Sequence, residues 1–134
     1  MCVVLELLGK PVPAARARVL RRGFAFNPKE KEKKLAQEKI SELYKSEILD
    51  EPLRVELSFQ MQIPKSLSKK KRSELIGSPH VIKPDCDNLA KFTLDVMNGI
   101  IYRDDSCVFD LKSTKTYSNE PKTTIRIYKH EKTA

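Results

Sequence analysis

The sequence predicts a single α+β domain over residues 1–134, with a small mixed β-sheet flanked by two main helices. Three observations predict it. Strand-type and helix-type patterns intermingle along the chain instead of segregating into halves. Leu53, Val55, Leu57, Phe59, Met61 and Ile63 interleave with Arg54, Glu56, Ser58, Gln60 and Gln62, the period-two signature of a strand with one dry face. Neither an internal repeat nor a linker interrupts the 134 residues, a length that supports one modest core.

The elements follow in order. Cys2–Leu8 is apolar apart from Glu6 and reads as a buried strand. Gly9-Lys10-Pro11-Val12-Pro13 ends it, because two prolines remove two backbone donors. Arg16, Arg18, Arg21 and Arg22 precede Gly23 and Phe24-Ala25-Phe26 in what reads as a basic, irregular hairpin. Asn27-Pro28 pairs a capping residue with one suited to the first helical position, so a helix is expected over 28–48, with Ala36, Ile40, Leu43 and Tyr44 on its apolar face. Pro64 closes the alternating strand, and Lys65, Lys69, Lys70, Lys71 and Arg72 then concentrate positive charge. Gly77, Pro79 and Pro84 bracket a loop. A second helix is expected over 88–98, capped by Asp87 or Asn88, with Leu89, Phe92, Thr93, Val96 and Met97 inward and Asn98-Gly99 as its stop. Cys107, Phe109 and Leu111 alternate in a third strand, Ile125 and Ile127 mark a fourth, and the tail from Lys129 reads as frayed.

Composition narrows the function. Lys and Arg number 26 against 18 Asp and Glu, a formal charge of +8 that attracts polyanions, nucleic acid first among them. The bland alternative is a solvated basic surface. Hydrophobic residues at 40% exclude a disordered chain, and the scarcity of aromatics, with no Trp, argues against reading single strands by stacking. Cys2, Cys86 and Cys107 are odd in number and contain no C-x-x-C pair, which argues against a disulfide framework or a cysteine zinc site and fits a reducing cytoplasm. The N-terminal apolar run is too short to span a membrane and lacks a basic leader, so neither a signal peptide nor a membrane partner is expected.

The informative stretch is Lys83-Pro84-Asp85-Cys86-Asp87-Asn88-Leu89-Ala90-Lys91, followed after the helix by Arg103-Asp104-Asp105. Asp85 and Asp87 are two apart and would face the same way in extended chain. Lys91 lies four residues beyond Asp87, one helical turn along on the same face. Taken alone, each piece is an ordinary helix cap or turn. Whether the Asp104-Asp105 loop folds back beside Asp85 depends on the tertiary fold; if three carboxylates converge, they repel by about 4 kcal/mol per pair at ~4 Å and an effective dielectric near 20, and so call for a cation. Oxygen-only ligands suit Mg²⁺ or Mn²⁺. Basic residues that hold a strand beside carboxylates that hold a metal are what phosphodiester cleavage needs.

At these residues the sequence resembles the RusA family of Holliday junction resolvases, metal-dependent endonucleases that resolve four-way DNA junctions and are often carried by prophages. The matching core is the 83–91 segment, then Asp95, Asn98-Gly99 and Asp104-Asp105-Ser106. Gly9-Lys10-Pro11-Val12-Pro13, Arg16 with Arg18, and Asn27-Pro28-Lys29 resemble the family's entry segment, so the likeness runs over about residues 3–127. Cys86 stands where the family usually has an aliphatic residue and Ala17 where Pro is frequent; neither change removes a functional group. The resemblance implies that Asp85, Asp87 and Asp105 hold Mg²⁺ (or Mn²⁺) and carry the chemistry, that Lys91 assists, and that Asp104 is the alternative within its pair. It also implies a homodimer, in keeping with two symmetric nicks made by one site per subunit.

Arg16, Arg18, Lys69, Lys70, Lys71, Arg72 and Lys83 are the candidate phosphate contacts. Two other readings stay open: a nuclease of the same chemistry acting on flaps or forks, and a non-catalytic nucleic-acid-binding protein. His80 reads as a solvated loop residue and Tyr102 as core or rim. Asp95, four residues after Lys91, reads as its ion-pair partner and not as a metal ligand.

Overall fold

The protein is described here by a computed structural model covering every residue except 1, 16, 17, 20–22, 24, 27 and 132–134, with backbone alone at 18, 19, 25 and 26. The described elements are, in order, β1 (Cys2–Leu8), β2 (Arg18–Val19), β3 (Ala25–Phe26), α1 (Glu30–Leu43), β4 (Leu53–Gln62), α2 (Lys69–Leu75), α3 (Cys86–Met97), a 3₁₀ turn (Asp105–Cys107), β5 (Val108–Ser118) and β6 (Lys122–Lys129). A four-stranded sheet runs β1-β6-β4-β5, while β2 and β3 pair separately as a small antiparallel hairpin.

Strand β4 organises the core. Its odd-numbered residues from Leu53 to Met61 are buried, and its even-numbered ones are exposed or half-buried. It pairs antiparallel with β6, which is antiparallel to β1, and parallel with β5, so the sheet is mixed. Parallel neighbours need a long crossover, and the 63–107 stretch supplies it. That crossover lays α3 on the sheet, where Leu89, Phe92, Val96 and Met97 meet the β4 row together with Ile125 and Ile127 of β6. Helix α1 adds Ile40 and Tyr44 to the same cluster. The α+β fold with a mixed sheet and two packing helices is the one the patterning predicts.

Several expectations are corrected. Cys2–Leu8 is a strand, but an edge strand: only Leu5 is buried, and Leu8 is 69% exposed. An apolar run specifies a strand without saying whether both its faces will be covered. Helix α1 is shorter than expected, starting after Lys29 and ending at Leu43, because Tyr44 turns to extended backbone. Leu43 is half-exposed, so it lies off the buried face. The basic run is itself partly helical, as α2, started by Ser68 whose hydroxyl accepts from the Lys71 backbone N–H at 3.3 Å. Cys107 belongs to the 3₁₀ turn, and Phe109 and Leu111 sit on edge strand β5 with about half their surface exposed. Lys129 is not frayed; it closes β6 and pairs with Glu51 at 3.3 Å. No helix among the described residues is long and apolar enough to cross a membrane.

Candidate active site

Helix α3 begins two residues earlier than the capping pattern suggests. Asp85 occupies the N-cap position in extended backbone, and Cys86 and Asp87 are already in the helix. This changes where the carboxylates point. Residues 85 and 87 share a face only in extended chain, whereas helical rotation at Cys86 separates them. Asp87 lines an open pocket of about 460 Å³ together with Lys91, Leu94, Asp105, Leu111 and Ser113. Asp85 lines the adjoining depression with His80, Lys83 and Lys115, and Cys86 borders both.

The pocket thus gathers residues from α3, the 3₁₀ turn and β5. Asp87, Lys91 and Leu94 follow the i, i+4, i+7 spacing of one helix face. Asp105 arrives from a turn that Asp104 stabilises: the Asp104 carboxylate accepts the Ser106 backbone N–H at 3.0 Å. Hydrogen bonding from Ser106, side chain first and backbone second, holds the Asp104 carboxyl below its ordinary pKa. Asp104 therefore serves the turn, and Asp105 is the member of the pair that lines the pocket. Behind them Tyr102 is fully buried, its hydroxyl donating to the Leu94 carbonyl at 2.7 Å. Burial pushes the Tyr102 phenol pKa up, and the negative charges of Asp105, Asp95 and Asp104 push it further.

Neither Asp87 nor Asp105 has a lysine or arginine within salt-bridge distance among the described residues. Among the described residues, Asp87 Oδ1 accepts only the Asn88 backbone N–H, at 3.0 Å. Asp85 is engaged by Lys83, whose Nζ lies 2.6 Å from Oδ1 on the open surface. No group of three or more acidic, histidine or cysteine side chains is placed to hold a metal ion among the described residues. Two unneutralised carboxylates on one open pocket nevertheless fit a hydrated Mg²⁺, which keeps most of its waters and needs few protein oxygens.

Lys91 forms no ion pair with Asp87 or Asp95 among the described residues, so the expected Lys91–Asp95 pair is absent. Its exposed side chain borders the acidic pocket and, on its other flank, a smaller one lined by Lys29, Lys33 and Asp95. The cationic candidates are spread more widely. Lys69, Lys70 and Lys71 are exposed on α2, while Arg72 is half-buried and donates to Asn119 Oδ1 at 3.4 Å. Arg16 and the Arg18 side chain lie outside the described residues.

A family model for the endodeoxyribonuclease RusA matches residues 9–128. The chain belongs to the RusA endodeoxyribonuclease family. It is also 30% identical over 135 residues to the "Uncharacterized protein YqaN" of Bacillus subtilis (strain 168), an alignment covering 94% of this chain and 95% of that protein. The RusA match spans the N-terminal loop, α3 and the 3₁₀ turn, and so includes each candidate carboxylate and Lys91.

Sequence reasoning missed the residues that anchor the loop leading into α3. His80 is not solvated: it is 7% exposed, its ring 4.8 Å from that of Tyr117. Burial and the nearby Lys115 ammonium lower its pKa. Lys115 donates to two loop carbonyls ahead of Asp85, and Ser113 Oγ donates to the Cys86 carbonyl at 3.2 Å. A signal existed in the polar run Ser113-Thr114-Lys115, but its partners lie 27 to 33 residues away and only the fold brings them close.

Proposed function

We propose that this chain is a divalent-metal-dependent endodeoxyribonuclease that resolves four-way DNA junctions by paired nicks, acting as a homodimer in recombination and repair. The observation that carries this reading is the convergence of Asp87, Lys91 and Asp105 on one open pocket with both carboxylates unneutralised. Asp87 and Asp105, joined by Asp85 once it leaves Lys83, would hold Mg²⁺ or Mn²⁺. Bound there, the ion supplies positive charge for the phosphate and makes water acidic enough to act near neutral pH.

The chain's own residues supply the rest. Lys91 places an ammonium beside the carboxylates, where it opposes negative charge developing on the attacked phosphate or on the leaving oxygen. Leu94 and Leu111 contribute apolar surface to the same pocket. Lys83, Lys69, Lys70 and Lys71 are exposed cations suited to flanking phosphates, which position a duplex without reading its sequence. Two subunits related by a twofold axis would present two such sites to the symmetric strands of a junction.

The test is cleavage of a synthetic four-way junction beside a linear duplex and a flap, with and without Mg²⁺. Paired symmetric nicks confined to the junction, dependent on the metal, are expected. Asp85→Asn, Asp87→Asn and Asp105→Asn should each lose cleavage while retaining fold and junction binding, since Asn keeps the size and removes the charge. Normal cutting by one variant removes that residue from the site. Equal cutting of linear duplex refutes junction selectivity.

A further inference from the structure

The loop that delivers Asp85 and Asp87 has few conventional anchors. Val81 is 84% exposed and Ile82 61% exposed, so apolar burial does not hold it. Among the described residues no backbone N–H bonds the carbonyls of Ile82 or Pro84. What holds them is one side chain: Lys115 Nζ donates to Ile82 O and to Pro84 O, each at 2.7 Å. Charge-assisted bonds of that length are among the stronger hydrogen bonds a protein makes.

Lys115 belongs to a row. Ser113, Lys115 and Tyr117 of β5 pair with Leu57, Phe59 and Met61 of β4 and so project from the same sheet face. Each meets the 77–86 segment in turn. The Tyr117 ring packs on His80, Lys115 takes the carbonyls of Ile82 and Pro84, and Ser113 takes the carbonyl of Cys86. Backbone bonds fix the far end: His80 N–H donates to Lys115 O at 3.1 Å and Tyr117 N–H to Ser78 O at 2.9 Å. The same strand receives Asp105 from its other end, through the turn that leads directly into Val108. One strand therefore sets both halves of the carboxylate set.

We propose that Lys115 is a positioning residue for metal binding: by clamping the Ile82 and Pro84 carbonyls to β5 it fixes Asp85 and Asp87 relative to Asp105. This rests on the metal-dependent reading above. The ammonium stands in for the backbone bonds that the Ile82 and Pro84 carbonyls do not make among the described residues, and two of its three N–H groups are committed to the task. Lys115→Met keeps the side-chain length and removes the donors, whereas Lys115→Arg restores donors that can reach both carbonyls. Partners that orient metal ligands from outside the coordination sphere typically change metal affinity or activity by 10- to 100-fold when removed.

The experiment compares wild type, Lys115→Met and Lys115→Arg in two measurements. The first is amide hydrogen exchange of the metal-free protein. Exchange over residues 82–89 is expected to speed up by about tenfold or more in the Met variant, with β4 and β6 unchanged, and to return near wild type in the Arg variant. The second is a Mn²⁺ titration followed by the resonance of the free ion, in which the Met variant should bind about 10- to 100-fold more weakly and the Arg variant should recover most of the loss. Unchanged exchange at 82–89, or equal acceleration through the whole sheet, overturns the positioning role. So does unchanged Mn²⁺ affinity in the Met variant. Failure of wild type itself to bind Mn²⁺ and to cut any DNA sinks the metal-dependent reading and with it the metal-positioning claim. Exchange then reports only whether the clamp holds the loop.

Discussion

Replacing Lys91 by alanine separates a chemical role from a structural one. Lys91 is exposed on α3, borders the pocket of Asp87 and Asp105, and forms no ion pair with Asp87 or Asp95 among the described residues. Its removal therefore takes nothing from folding that a helix-face pair, worth about 0.2–0.5 kcal/mol, would have supplied. Alanine is also the better helix former. The melting temperature should stay within about 2 °C of wild type on that scale. The reaction should suffer far more. Loss of one preorganised charge-stabilising donor costs about 100- to 1000-fold in rate, which is about 2.7–4 kcal/mol of barrier. Single-turnover cleavage of a four-way junction at saturating enzyme reads the chemical step without binding. Lys91→Arg should recover little, because the guanidinium fork does not match a compact ammonium. A Lys91→Ala rate within threefold of wild type, above all with a lowered melting point, would refute the chemical role.

Changing Lys69, Lys70 and Lys71 to Gln should weaken junction binding and lower the slope of log affinity against log salt by up to about 2.7, as fewer counterions are released; these side chains are exposed, so melting should hardly change. An unaltered slope would make α2 an ordinary solvated helix. The buried His80 has its pKa lowered from 6.5 by burial and by Lys115. Between that ordinary value and the lower folded one the unfolded chain binds the extra proton, so this contribution to stability is complete above about pH 6.5 and shrinks as pH falls through the window. Urea midpoints measured from pH 8 to pH 5 should show the decline in wild type and a smaller one in His80→Phe; parallel curves would remove His80 as the cause.

The sequence by itself determined much of this protein. The period-two run of β4 dictated its dry face, because a strand alternates whatever it packs against. The i, i+4 spacing of Asp87 and Lys91 placed both on one helix face before any fold was known. The ordered motif from Lys83 to Lys91, with Asp104-Asp105 after it, pointed to the RusA family. Other features belonged to the tertiary structure. Whether Cys2–Leu8 would be covered on both faces depended on its place at the sheet edge, which no local pattern encodes. Asp85 and Asp87 diverge because α3 starts at Cys86, and helix starts are weakly specified by sequence. His80 looked polar and solvated until the antiparallel run of its loop along β5 put it against Tyr117. Lys115 was one of many lysines on a basic chain. Its commitment to the Ile82 and Pro84 carbonyls arises only because the β4–β5 crossover returns the loop to that strand, a contact 31 to 33 residues away in sequence that local propensity does not reach.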